Sequence, residues 1–119
     1  MGNTVTNVPI ISPDIGLLGE SLEKVNLRSN WIGGTIPSRI GSLFLLVLID
    51  LSYNKLQGTL PDVLFQNATG LESVRVGHNS FNGTIKGLRL SQLKELNLGF
   101  NNFTGNISKV LEYVPKLGK

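Results

Sequence analysis

Leu22-Glu-Lys-Val25-Asn-Leu27-Arg-Ser-Asn30-Trp-Ile32-Gly-Gly34-Thr-Ile36-Pro37 decides the fold, because its frame returns three more times. The asparagine recurs as Asn54, Asn79 and Asn101, at intervals of 24, 25 and 22 residues. Eight, five and three residues before each stand Leu22/Val25/Leu27, Leu46/Ile49/Leu51, Leu71/Val74/Val76 and Leu93/Leu96/Leu98. Two residues after come Ile32, Leu56, Phe81 and Phe103. Four after come Gly34, Gly58, Gly83 and Gly105, and six after come Ile36, Leu60, Ile85 and Ile107. A period in this range marks a solenoid. Such a fold offers one continuous repeated surface rather than a closed pocket.

The physics of a single unit agrees. The residues leading to each Asn alternate apolar and polar, as a short half-buried strand does. The Asn must then turn the chain inward. Its amide offers donors and an acceptor to the backbone of a buried bend, and stacked copies can bond along the solenoid axis. The glycine four residues on admits backbone conformations that other residues avoid. No unit can bury its own leucines, so stability comes from stacking neighbours.

The frame at 22–37, echoed at 46–61, resembles the plant-type leucine-rich repeat, and the pattern spans about 22–107. Pro37 and Pro61 match that family's terminal proline, whereas Lys86 and Ser108 replace it. The resemblance implies an α/β solenoid: a right-handed superhelix with a parallel concave sheet, short second strands and 3-10 or helical turns on the convex side. Repeats are expected at 22–45, 46–70, 71–92 and 93–116, with a degenerate partial repeat at 1–21 and a further one opening at 117–119. Pro13 precedes Leu22 by nine residues, as Pro37 precedes Leu46, and Leu117 follows Leu93 by 24. Both ends therefore read as cut within a longer array.

Composition narrows the function. The net charge is +3, and the 11 basic residues are scattered, so nucleic acid is not expected as a partner. The apolar run Leu43–Ile49 is far too short to span a bilayer. There is no cysteine and a single histidine, His78, so neither a metal nor another cofactor is expected. Secreted members of the family usually carry cysteine-bearing caps. Their absence means an intracellular protein or a chain without its caps, and the ends favour the second. Met1–Ser12 holds no secretory signal, although Met1–Thr6 fits the short N-myristoylation pattern at Gly2. Asn67, Asn82, Asn102 and Asn106 open glycosylation sequons, each placed after a first strand and off the concave face. They point to an extracellular or cell-surface origin as part of a longer protein.

Side chains flanking the buried leucines should point outward, in columns running across the repeats. These are Lys24/Leu48/Ser73/Glu95, Asn26/Asp50/Arg75/Asn97, Arg28/Ser52/Gly77/Gly99 and Ser29/Tyr53/His78/Phe100. Tyr53, His78 and Phe100 should form an aromatic lane. Ser52 and the two glycines should leave room beside it for a partner's backbone, with Asp50, Arg75 and Asn97 supplying polar contacts. The bland reading is that the aromatic residues shield the Asn bend. Asp50, Ser52 and His78 do not make a convincing hydrolase triad, since His78 falls in a different column and no oxyanion loop follows.

The expected function is non-catalytic recognition of a protein or peptide, resembling receptor-like kinases, receptor-like proteins or polygalacturonase inhibitors. The ligand classes open to such proteins include peptides, hormones, wall glycans and foreign enzymes. An alternative is a scaffold subunit that docks neighbouring subunits through its ends and through Leu45, Val47 and Leu48. A lesser alternative is ice binding through Thr35, Thr59 and Thr84. Four strands give roughly 300 Å² of projected face, against about 800 Å² per partner in a stable interface. Binding by this stretch alone should be weak.

Overall fold

The computed structural model describes residues 9–85 and 90–105. Each repeat contributes a three-residue strand whose middle residue faces inward: β1 (Lys24–Asn26), β2 (Leu48–Asp50), β4 (Ser73–Arg75) and β6 (Glu95–Asn97). Val25, Ile49, Val74 and Leu96 occupy those middle positions, and the first three are buried. Branched side chains suit such a half-buried pleat. The four strands form one parallel sheet in the order β1-β2-β4-β6. Its register follows the sequence frame: Lys24 pairs with Leu48, Leu48 with Ser73, and Ser73 with Glu95.

On the opposite side the chain returns through short helical turns. Pro13–Leu18 and Ser38–Ser42 are 3-10 turns, and Asp62–Asn67 is a single short α-helix, α1. Proline at the entry costs nothing, because the first amides of a helix have no internal partner. Ser12 adds a cap, its hydroxyl accepting from the Asp14 amide at 3.1 Å. The second Asn interval is one residue longer than the first. That repeat carries the α-helix where its predecessor carries the tighter 3-10 turn. Between sheet and turns lies a continuous core in which Ile40, Leu43, Leu46, Leu51, Leu56, Leu71, Phe81 and Leu93 are fully buried.

A second parallel sheet follows the bend, from β3 (Gln57–Gly58), β5 (Ser80–Thr84) and β7 (Asn102–Thr104). Its register slips against the sequence frame. Gly58 pairs with Phe81, and Asn82, Gly83 and Thr84 pair with Asn102, Phe103 and Thr104. Each step is thus displaced by two residues from the frame that aligns Gly58 with Gly83. Thr35, Thr59 and Thr84, the residues of the ice-binding alternative, therefore do not line up as straight rungs. Instead each threonine methyl abuts the glycine of the next repeat: Thr35 at Gly58, Thr59 at Gly83 and Thr84 at Gly105. Threonines displaced by two residues on adjacent strands stand roughly 8 Å apart rather than 4.8 Å.

Gly2, Asn106, Ile107 and the repeat opening at Leu117 lie outside the described residues.

Candidate functional site on the concave face

The concave face is organised by the bend that ends each strand. Asn54 accepts from the amides of Asn30 and Ile32 at 3.0 and 2.9 Å. Its NH2 group donates to the carbonyls of Leu27, Leu51 and Ser52. Asn79 accepts from the Leu56 amide and donates to Leu51, Val76 and Gly77. Asn101 accepts from the Phe81 amide and donates to Val76, Leu98 and Gly99. The asparagines therefore bond backbone, their own and that of the preceding repeat, rather than each other. Asn30 is exposed, and its amide donates to Arg28 in its own repeat.

The residue before each Asn sits in the left-handed region: Ser29, Tyr53, His78 and Phe100 have φ of 57–59°. Residues with a Cβ avoid this region by about 1–2 kcal/mol. It is held here by bonds that carry the first sheet one step further, Tyr53 N to Gly77 O at 3.0 Å and His78 N to Gly99 O at 2.9 Å. The same conformation swings the three rings into one column. Tyr53 stacks on His78 and His78 on Phe100, each with centroids 4.2 Å apart and planes within 15°. Arg28 lies over the free face of Tyr53, 4.8 Å from its centroid. The column therefore shows ring edges to a partner, while both faces of His78 are covered. Phe100 remains 77% exposed and Tyr53 46%.

Beside the column the charges are largely satisfied from within. Glu95 accepts from Arg75 Nε and from Ser73 Oγ, both at 2.6 Å, and Arg75 reaches Asp50 at 3.6 Å. The Ser73 and Arg75 hydrogen bonds hold the Glu95 carboxyl below its ordinary range. Glu95, by hydrogen bond and charge, raises the Arg75 guanidinium further. Lys94 pairs with Glu72 at 3.2 Å.

Two expected contact residues are not presented outward. Asp50 is 1% exposed and Ser52 4%. Strand alternation aims them at the concave side, but Arg75 bridges over Asp50. Ser52 then folds back to donate from both its amide and its hydroxyl to the Asp50 carboxylate. The gap expected at Gly77 is also filled, since a Cβ there would lie 2.7 Å from Asn97 Oδ1. With its hydroxyl proton given to Asp50, Ser52 has no geometry for nucleophilic work beside a stacked His78. Among the described residues no group of three or more His, Cys, Asp or Glu could hold a metal. No helix there is long and apolar enough to cross a membrane.

The sequon residues sit elsewhere. Asn67 closes α1, exposed, with its NH2 donating to Gly41 O at 2.8 Å. Asn82 and Asn102 are exposed and stand opposite each other in the second sheet. Asn106 lies outside the described residues. Trp31 and Lys55 gather next to the column beside Arg28, without having been picked out by the repeat frame. Trp31 is 68% exposed, and Lys55 Nζ lies 5.2 Å from its ring centroid. A single aromatic immediately after a ladder Asn is the one signal of it legible in the sequence.

This architecture has known counterparts. Residues 21–43, 45–67 and 92–113 match the leucine rich repeat family, more than half of the chain, and the protein belongs to that family. A probable leucine-rich-repeat receptor-like serine/threonine-protein kinase of Arabidopsis thaliana is 35% identical over 85 residues. That match takes in 71% of this chain and 8% of the relative, so the chain spans a small fraction of that relative's length. Among solved structures, the PEPR1–AtPEP1 structure superposes with a TM-score of 0.83 at 34% identity, covering 92% of this chain and 15% of the other. The Arabidopsis receptor kinase HAESA, in complex with the peptide hormone IDA and the co-receptor SERK1, gives 0.74 at 34%, covering 81% and 16%. A plant ice-binding protein gives 0.80 at 31%, covering 89% and 34%.

Proposed function

We propose that this chain is a recognition segment of a cell-surface, receptor-like protein, and that it holds a protein or peptide ligand on its concave face. The supporting observation is the exposed column Tyr53-His78-Phe100, which crosses three repeats and is built from residues kept in a costly backbone conformation. Strain that the surroundings enforce is characteristic of working surfaces. Likeness to an ectodomain solved with a peptide hormone favours the same reading. Arg75 and Asn97 flank the column as polar contacts. Asp50 and Ser52 act behind them by fixing Arg75.

The test is a phage-displayed peptide library panned against the chain, followed by substitution. Tyr53→Ala with Phe100→Ala should abolish binding of a selected peptide, since hot-spot truncations cost about 2 kcal/mol or more each. Thr35→Ala with Thr84→Ala, away from the aromatic column, should leave it nearly unchanged. The reverse result would move the working surface to the lateral sheet. The exposed Ile10, Leu17 and Leu18 on the N-terminal flank favour a second reading, docking to neighbouring subunits. A monodisperse monomer by light scattering at high concentration would remove it.

A further inference from the structure

Where the concave sheet gives way to the second sheet, a pocket of about 350 Å³ opens between Ser29, Trp31, Tyr53, Asn54, Lys55 and His78. The rings of Trp31, Tyr53 and His78 are among its walls. The volume lies at the lower end for ligand sites, roughly 300–1,000 Å³. That is ample room for one large side chain. Its position distinguishes the first repeat from the others. Trp31 has φ 57°, whereas its counterparts Lys55, Ser80 and Asn102 do not adopt a positive φ.

Charge supplies the second half of the argument. Arg75 and Lys94 are paired with carboxylates, but Arg28 and Lys55 have no ion-pair partner among the described residues. Lys55, which lines the pocket, lies over Trp31, and Arg28 lies over Tyr53, itself a lining residue. A cation held only by a ring face keeps most of its charge available to an incoming anion. Aromatic walls and two uncommitted cations together define what fits.

We propose that this pocket takes one aromatic side chain of an acidic peptide segment, with the adjacent carboxylate received by Lys55 and Arg28. The proposal rests on the peptide-recognition reading above and specifies its ligand class. A neutral sugar would gain nothing from the two cations. A nucleic acid would need a broader basic surface than two side chains provide.

Trp31 is the only tryptophan in the chain, so its fluorescence and its indole N–H resonance report on this pocket alone. The probes are blocked tetrapeptides: Gly-Phe-Asp-Gly, Gly-Phe-Asn-Gly and Gly-Ala-Asp-Gly, each acetylated and amidated. They are titrated into the 119-residue chain, with amide NMR shifts mapped in parallel. Phe-Asp should bind with a millimolar Kd and a saturable Trp31 response. Phe-Asn should bind roughly two- to fivefold more weakly, the range of an exposed ion pair, and Ala-Asp should bind least. Lys55→Gln should reduce the Asp-over-Asn preference with an unchanged circular dichroism spectrum, because the Lys55 side chain is exposed.

Equal affinity for the Asp and Asn peptides would overturn the proposal, as would tighter binding of a galacturonate trimer than of Phe-Asp. Shifts at Arg75, Asn97 and Phe100 without Trp31 would overturn the pocket but leave concave recognition standing. Shifts confined to the second sheet or the convex turns would overturn both. No response at 10 mM Phe-Asp peptide, roughly a tenfold excess over the expected Kd, would overturn the pocket.

Discussion

Replacing Asn54 by leucine tests how the bends are held. The substitution removes five hydrogen bonds, but they are not of equal weight. The Leu51 carbonyl keeps a donor in Asn79, and the Ser52 carbonyl keeps one in the Ser29 amide. The Ile32 amide is buried and has no other partner among the described residues, whereas Leu27 O and Asn30 N are closer to solvent and can be rehydrated. One buried orphan costs about 1–3 kcal/mol, and two partly wet groups add less, so the loss should be about 2–4 kcal/mol. For a domain of this size that is a fall in Tm of roughly 10–25 °C. The control is Asn30→Leu, whose exposed amide makes one bond within its own repeat; it should cost under about 0.5 kcal/mol. Urea titration followed by circular dichroism measures both. Equal losses at Asn30 and Asn54 would refute the reasoning, because general polarity rather than the inter-repeat bonds would then be what matters.

Three further outcomes follow. Gly83→Ala places a side chain at φ +77°, with its Cβ 2.8 Å from the Thr59 methyl, and should cost about 1–2 kcal/mol in the same titration. The Glu95 carboxyl is held below its ordinary value of 4.5, so its contribution is complete above that pH and is lost as pH falls through the folded-state value. Glu95→Gln should therefore flatten the acid limb of stability below pH 4.5, and an unchanged limb would assign acid sensitivity elsewhere. His78→Ala separates the stacked rings, and the amide resonances of both Tyr53 and Phe100 should move although neither was changed; if they stay put, the column is not a cooperative unit.

The first sheet was legible because its leucines fix the inward face, and a one-residue slip would expose every one of them. That constraint fades after the bend. Phe81 packs against Phe103, rings 6.1 Å apart, and threonine methyls nest on glycines, so the second sheet settles two residues out of frame. Period-2 alternation placed Asp50 on the correct side of its strand. It could not tell that Arg75, from the next repeat, would close over it, because that is a contact between units and not a property of one. The aromatic column was readable as a column, but not its left-handed backbone. A spacing reveals which residues are neighbours, not the torsion that turns their rings edge-outward.

The asparagine bonds also have a direction. Asn54, Asn79 and Asn101 each supply the acceptor for the Ile32, Leu56 and Phe81 amides of the repeat before. Each of these three bends is thus finished by the unit that follows it in the chain. During synthesis a repeat would leave the ribosome with an open turn, to be closed only when its successor arrives. Deleting a repeat from the trailing side therefore damages two bends, its own and its predecessor's. Deletion from the leading side merely idles an amide. Growth of such an array is polar, like a zipper that can be closed from one end.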